Sequence, residues 1–370
     1  MLVTILVFIG VLLVLVLAHE LGHFLAARSL GVTVEEFAFG FPPRLWGTKR
    51  GQTTYSINWL PLGGFVKLKG EQVIQRHEPD SFSAQPPWRR AVILVAGVTM
   101  NVILCFVLIT GGLMVGLPTM LDASQLTQAR DVKIQIVNVL PGAPADKAGL
   151  KLGDEVKELD GRRFTVLSEM QNYIAAQGGK TMDITLLRGK EVVKTSGVPQ
   201  VLSESAGRAA LGVNLVQTGI IAYPWYESIW RGGVATYNLA IDIGRGFGQL
   251  FKNLIINRQV PKDVAGPVGI AVMTGQVAEL GWIYVLQFAA LLSLNLAFIN
   301  LFPFPALDGG RLLFVIIEKL RGKPNNEKVE GLVHNVGFAI LMLLVVLITY
   351  QDLLHFGGGF VKAVTNFLGV

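Results

Sequence analysis

Two histidines and a glutamate lie close together near the end of the first apolar segment. His19 and His23 are four positions apart, so on a helix their side chains lie one turn apart on the same face. Two imidazoles at this spacing can share a Zn²⁺ ion, which leaves Glu20 beside the metal as a general base. A chance match is the alternative, because short patterns recur. Residues 1–18 carry no charged side chain. Burying ionisable groups within a membrane is energetically costly, so those found there are candidates for a function, and the pattern predicts a metal site.

Two histidines supply only two ligands, whereas a catalytic zinc usually has three ligands from the protein. The end of the third apolar stretch offers the third: Pro303 and Pro305 interrupt the helix, and Asp308 follows the interruption. Non-helical backbone at this depth is tolerated only where it is buried in protein or lines a wet cavity. Asn295 and Asn300 precede the prolines, and their amides could hold a substrate backbone or a developing oxyanion. The alternative for both is hydrogen bonding between helices.

The composition is that of a membrane protein. Of the 370 residues, 51% are hydrophobic and 16% are charged, well below the roughly 25% charged residues of ordinary soluble domains. The net charge is +6, but the basic residues cluster in particular loops, so membrane orientation explains them better than a nucleic-acid partner does. The single cysteine, Cys105, lies in an apolar run, which excludes an internal disulfide.

Four apolar stretches are long enough to cross a bilayer, which takes about 20 helical residues. We assign them to residues 1–27, 91–121, 280–307 and 331–351. The 28–90 and 308–330 segments are rich in Lys and Arg, no basic residue precedes the first span, and only Lys362 follows the fourth. The positive-inside rule therefore places both segments in the cytoplasm and both termini outside, including the 352–370 tail. The metal motif then lies toward the cytoplasmic face.

The 28–90 segment contains two stretches with the alternation of β-strands. Residues 53–60 alternate in part, and residues 63–69 alternate after a Pro-Leu-Gly-Gly turn, which predicts a membrane-associated hairpin or small sheet. An exposed edge of such a sheet could hold a substrate in extended form by strand addition. The alternative is a structural hairpin that packs on the helices, and the pattern alone favours this alternative.

Between the second and third spans the composition becomes that of a soluble domain, which we assign to residues 122–202. It is followed by a linker, residues 203–279, in which aromatic residues occur among scattered Arg and Lys: Trp225, Tyr226, Trp230 and Tyr237. This mixture predicts amphipathic helices at the membrane interface. An ordinary surface helix of the outer domain is the alternative.

The motifs together resemble those of the site-2 protease family of intramembrane zinc metalloproteases. His-Glu-Leu-Gly-His at 19–23 and Asn-x-x-Pro-x-Pro-x-Leu-Asp-Gly at 300–309 carry the resemblance. The Gly-Gly-Phe-Val-Lys-Leu-Lys-Gly-Glu run at 63–71 and Gly-Pro-Val-Gly-Ile at 266–270 are similar to the bacterial RseP-type branch. The Pro-Gly-x-Pro-Ala run that begins at Pro141 resembles a bacterial PDZ domain. The resemblance implies a polytopic α-helical membrane protein of about four transmembrane helices, with a membrane-associated β-hairpin or sheet and an extracytoplasmic PDZ domain of the α+β class.

Residue by residue, the resemblance implies one Zn²⁺ per chain with His19, His23 and Asp308 as ligands and Glu20 as the base. It also implies that Asn300, and with less support Asn295, contacts the substrate or the transition state. The 63–71 strand, with Gly64, Phe65 and Val66, would present the substrate in extended form.

Three features depart from the family pattern. Residues 96–101 read Ala-Gly-Val-Thr-Met-Asn where the family often has Ala-Gly-Pro, one PDZ domain is present where some relatives have two, and Arg311 stands where some relatives have His. Should Asp308 not bind the metal, Glu71 and Asp80 in the first cytoplasmic loop are the next candidates.

The expected function is hydrolysis of peptide bonds within transmembrane segments, in the bacterial cytoplasmic (inner) membrane. By resemblance, the substrates are single-span proteins already trimmed by another protease, such as anti-sigma factors or remnant signal peptides in regulated intramembrane proteolysis. The PDZ domain would bind the new C-terminus or exclude bulky substrates, and the second role is favoured. Two other classes remain open, a catalytically inactive membrane PDZ scaffold and a zinc transporter that uses His and Asp in its spans.

Overall fold

The computed structural model describes residues 2–71, 78–121, 125–140, 142–189, 191–202, 205, 207–256 and 266–368. Pro141 of the PDZ-like motif and residues 257–265 of the predicted linker lie outside the described residues. The chain forms two compact units, Met1–Gly111 with Ile229–Val370, and Gly112–Ser228.

The helices of the described residues are, in chain order, α1 (Leu2–Ser29), α2 (Pro87–Val115), α3 (Pro144–Lys147), α4 (Leu167–Ala176), α5 (Trp225–Ile255), α6 (Pro267–Leu280), α7 (Trp282–Leu301), α8 (Asp308–Arg321) and α9 (Glu327–Leu368), with a short 3₁₀ helix at Phe82–Ala84. The strands are β1 (Val34–Arg50), β2 (Thr53–Leu68), β3 (Leu117–Met120), β4 (Arg130–Val139), β5 (Glu155–Leu159), β6 (Met182–Arg188), β7 (Glu191–Gly197), β8 (Gln200–Val201), β9 (Ala209–Ala210) and β10 (Val213–Ile221).

Four of the described helices are long and apolar enough to cross a membrane, which confirms the predicted number of spans. The spanning segments are Val3–Ser29, Pro87–Val115, Trp282–Leu301 and Lys328–Leu354. The second begins four residues before the predicted start at 91, because Pro87 occupies the first turn, where its missing N–H costs no hydrogen bond. It ends at Val115, and residues 117–120 form β3 instead of continuing the span.

Helix α1 carries the histidine motif and is apolar on all faces up to that motif, as expected for a helix in lipid. It ends at Ser29, and Gly31 adopts a left-handed conformation with φ of +80°, which is the usual way to stop a helix and turn the chain. The turn leads directly into β1. A buried apolar cluster joins α1 to this sheet and to α2; its members are Phe24, Ala27, Val32, Val34, Leu68 and Ile93.

Strands β1 and β2 form a small sheet in the predicted membrane-associated segment. Residues 36–39 of β1 pair with residues 64–67 of β2 on one side and with residues 54–57 of β2 on the other. Residues 44–50 of β1 then pair with residues 53–58 of β2. Within the described residues, the 64–67 segment therefore has a strand neighbour on one side only, so its second edge is open to another extended chain.

The unit Gly112–Ser228 contains a six-stranded antiparallel sheet in the order β3-β10-β4-β5-β6-β7, with α3 and α4 completing an α+β arrangement. Its core is apolar and fully buried at Met170, Met182, Ile184 and Leu186. The sheet extends beyond the predicted 122–202 limits, because β10 pairs with both β3 and β4. Such long-range pairing leaves no local signal from which the limits could be read.

Candidate metal centre

Helix α1 and the start of α8 bring three potential metal ligands together. His19 Nε2 lies 3.0 Å from Asp308 Oδ2, His23 Nε2 lies 3.1 Å from the same oxygen, and the two Nε2 atoms are 3.1 Å apart. Both imidazoles are buried. Ligand atoms about 2.0–2.1 Å from a tetrahedral Zn²⁺ lie about 3.3 Å apart, so the three atoms fit one face of such a site. Among the described residues no other group of three His, Cys, Asp or Glu donors meets in this way.

Asp308 reaches the histidines because the chain between α7 and α8 makes a compact non-helical turn. Helix α7 ends at Leu301, Phe302 is extended, and Ala306 adopts a left-handed conformation with φ of +78°. The backbone N–H of Ala306 donates to His334 Nδ1 of α9 at 3.0 Å, which fixes this turn from the far side. His334 was not singled out from the sequence, because nothing local links it to the turn.

Helix α8 is fixed against α2 by an ion pair. Arg90 donates two hydrogen bonds to the Glu318 carboxylate, at 2.7 and 3.1 Å, and both side chains are largely buried. A bidentate pair of this kind sets geometry as well as charge.

Burial alone would raise the pKa of Asp308, the first residue of α8, but the hydrogen bonds with His19 and His23 hold this pKa below its usual range. An ionised carboxylate is the form that binds a metal.

Glu20 lies between the three donors and the open-edged strand. A Cβ atom added to Gly64 would lie 3.5 Å from Glu20 Cγ and 2.9 Å from Val16 Cγ1, so the strand backbone approaches α1 closely at this point. The backbone N–H of Val66 interacts with the Glu20 carboxylate. Phe65, between them, is half-buried and pairs with Ala38. Two of the three predicted strand residues thus lie at the predicted base.

The two predicted asparagines of α7 differ in their surroundings. Asn300 Nδ2 lies 3.4 Å from His19 Nε2, beside the donor atoms. Asn295 Nδ2 donates to the Leu291 carbonyl of its own helix at 2.9 Å. The structure therefore brings Asn300 to the cluster and gives Asn295 a partner within α7.

The alternative carboxylates have partners other than the two histidines. Glu71 pairs with Arg311 and accepts a hydrogen bond from the Leu68 N–H at 3.1 Å. Asp80 accepts hydrogen bonds from Lys69 and Thr33, at 2.9 and 2.8 Å. The pair with Glu71 also accounts for Arg311, whose place in the sequence pattern had no explanation.

Helix α2 forms the back wall of the cluster, which the sequence did not reveal. The Ile93 carbonyl lies 2.8 Å from His23 Nδ1 and accepts a hydrogen bond when this nitrogen carries the proton. A Cβ atom added to Gly97 would lie 2.4 Å from His23 Nε2 and 2.8 Å from His19 Cε1. Only a glycine at position 97 leaves room for the imidazoles. The available signal was the four-residue spacing of Gly97 and Asn101, which puts both on one helix face.

We expect Gly97→Ala to lower zinc content and proteolysis together, because the new methyl group occupies the space of His23 Nε2. The measurement is metal content per purified chain alongside the cleavage rate. Gly111→Ala is the matched control, since the same change in the same helix meets no atom within 4 Å. Both changes raise intrinsic helix propensity by about 1 kcal/mol, so equal zinc content in the two variants would contradict the close approach.

Comparison with known proteins identifies the family of the chain. The model of Peptidase family M50 matches residues 7–344. The zinc metalloprotease RasP of Geobacillus kaustophilus is 33% identical, over 94% of this chain and 97% of the relative. The regulator of sigma-W protease RasP of Bacillus subtilis is 28% identical, over 95% and 98%. The solved PDZ domain of an SdrC-like protein from Listeria monocytogenes is 24% identical, over 22% of this chain and 85% of that one, with a TM-score of 0.21. The chain therefore belongs to Peptidase family M50, the site-2 protease family, and is a multi-pass membrane zinc metalloprotease.

Proposed function

We propose that this metalloprotease cleaves peptide bonds within the transmembrane segments of single-span membrane proteins. The observation that carries the proposal is the position of Glu20, which lies on a membrane-spanning helix between three metal donors and an open strand edge. A protease of soluble substrates has no need for this site to lie on a spanning helix. A transmembrane substrate, by contrast, has to reach the catalytic groups from within the membrane.

In this proposal His19, His23 and Asp308 hold one Zn²⁺ per chain. The ion supplies Lewis-acid activation of the scissile carbonyl and of the attacking water. The Glu20 carboxylate takes a proton from that water and later delivers it to the nitrogen of the leaving amine. Asn300, whose Nδ2 lies 3.4 Å from His19 Nε2, donates a hydrogen bond to the developing oxyanion. Asn295 is not assigned a contact with the substrate, because its side-chain amide donates to a backbone carbonyl within α7.

The substrate is held in extended form along residues 64–67 of β2. A helix has no free backbone groups at its scissile bond, so the substrate span must unwind before it can be cut. The open edge of β2 has no strand partner among the described residues, and its backbone groups would replace the lost helical hydrogen bonds. Gly64 supports this role because it has no side chain and its backbone lies against α1 near Glu20. The contact of the Val66 N–H with the same carboxylate places this part of the strand beside the proposed base.

We further propose that the protein lies in the bacterial cytoplasmic membrane, with the metal centre toward the cytoplasm and both termini and the PDZ-like domain outside. The distribution of Lys and Arg supports this orientation. The substrates are proteins shortened beforehand by another protease, anti-sigma factors or remnant signal peptides being the expected kinds. The name of the Bacillus subtilis relative, a regulator of sigma-W, supports the first kind.

The test is cleavage of a single-span substrate by the purified full-length protein in phospholipid vesicles. We expect product ends that map within the span, loss of cleavage on zinc chelation and recovery on adding zinc. A trimmed substrate should be cut faster than its full-length form. Cleavage only outside the span would overturn the proposal. Zinc flux across sealed vesicles without cleavage would favour a transporter, and neither activity in a zinc-loaded protein would favour a scaffold.

A further inference from the structure

A polar side chain is completely buried in α2, directly behind the metal donors. Asn101 has 0% of its surface exposed. Its Nδ2 atom lies 3.3 Å from His19 Nδ1, the ring nitrogen on the side away from Asp308. Its Oδ1 atom is buried and has no hydrogen-bond partner among the described residues. A buried amide oxygen without a partner costs about 1–3 kcal/mol, so this arrangement needs an explanation.

The protonation of a metal-binding histidine supplies the explanation. His19 directs Nε2 toward His23 and Asp308, so Nε2 must be free of its proton to bind a metal. A neutral imidazole then carries its proton on Nδ1, which becomes a donor. The Asn101 amide NH₂ is also a donor, and two donors cannot form a hydrogen bond with each other. A rotation of the amide by 180° exchanges its nitrogen and oxygen without changing its shape. In that orientation Oδ1 accepts the proton of His19 Nδ1, so the amide oxygen and the ring N–H each gain a partner, and the NH₂ group takes the former place of Oδ1.

We propose that Asn101 is a positioning residue that accepts a hydrogen bond from His19 Nδ1–H and thereby holds the ring with Nε2 toward the metal. The other histidine has the equivalent support, because the Ile93 carbonyl lies 2.8 Å from His23 Nδ1. The two acceptors stand two turns apart on the face of α2 that also carries Gly97. The Ser293 hydroxyl of α7 donates to the backbone carbonyl of Asn101 at 2.8 Å, which fixes the main chain at this residue. Partners of this kind orient a ligand and raise its basicity.

The inference rests on the proposed zinc site, and the experiment separates the two. Zinc affinity of the full-length protein in detergent is measured by competition with a chromophoric chelator, for wild type and for three variants. Asn101→Leu keeps the volume and removes the acceptor, so we expect zinc to bind about 10–100-fold more weakly. Asn101→Asp keeps the shape and supplies a stronger acceptor, so zinc should bind at least as tightly as in wild type. Cys105→Ala alters a buried residue one turn away on the same face and should leave the affinity unchanged.

The Asp variant decides between positioning and packing. If Asn101 only fills space, Leu should be tolerated and a buried carboxylate should not. Wild-type affinity in the Leu variant would overturn the proposal, as would an Asp variant that binds zinc tenfold more weakly. The second criterion still applies if the Leu variant does not fold. Absence of zinc binding in the wild-type protein would instead overturn the metal site itself.

Discussion

Glu20→Gln should abolish proteolysis while the protein retains its zinc and its thermal stability. Glutamine has nearly the same shape as glutamate but cannot take a proton from water. General base catalysis contributes about 10²–10⁴-fold to a rate, so we expect a loss within or beyond this range. The measurement combines the cleavage rate in vesicles, metal content per chain and the thermal unfolding midpoint. Glu20 does not belong to the group of three donors formed by His19, His23 and Asp308, so zinc retention is part of the prediction.

The control for this variant is Glu279→Gln, the same change at an exposed position of α6. It should leave the cleavage rate and the zinc content at wild-type values. Loss of zinc from Glu20→Gln would make Glu20 a ligand and remove it as the base. Residual cleavage close to the wild-type rate would require a different proton acceptor.

Asp308→Ala should remove zinc as well as activity. The change takes away one of three donors and leaves His19 and His23 with an incomplete site. Loss of an outer hydrogen-bond partner of a ligand typically lowers metal affinity about 10–100-fold, so loss of the ligand itself should exceed about 100-fold. Chelator competition measures the affinity, and the cleavage assay measures the activity. Added zinc at high concentration should restore only part of the activity, because the charge of the site has also changed.

Asp80→Ala is the matched control for Asp308→Ala. It also removes a hydrogen-bonded carboxylate, but the partners of Asp80 are Lys69 and Thr33 instead of the histidines. Zinc affinity should therefore stay at the wild-type value. Full zinc content in Asp308→Ala would show that the third ligand lies elsewhere. Glu71 would then be the next residue to replace.

The parts of the site that follow from local sequence were predictable. His19, Glu20 and His23 lie within two turns of one helix, so their spacing alone fixes which of them share a face. The break at Pro303 and Pro305 is also local, and Asp308, which follows it, is the carboxylate predicted as the third ligand. Four spanning helices follow from length and apolar composition, and this prediction is confirmed. The catalytic and ligand roles of these residues stay predictions until the variants above are measured.

The parts that depend on packing between distant segments were not predictable. The contacts of Gly97, Asn101 and His334 depend on which faces of α2 and α9 pack against the neighbouring segments. The sequence of an apolar helix carries little information about which face that is. The pairing of residues 36–39 with two segments of β2 was missed for a similar reason. Alternation predicts a strand, but it does not say which partner lies on each side.

The donors come from two distant parts of the chain, since His19 and Asp308 are separated by 289 positions. During synthesis the histidines leave the ribosome first and enter the membrane with α1. Asp308 is made only after α2, the intervening domain and α7 have followed. With His19, His23 and Asp308 as the proposed ligands, the site has two ligands at most until Asp308 has been made. In the proposed ligand set, the complete site therefore exists only after α1, α2 and α7 have been synthesised.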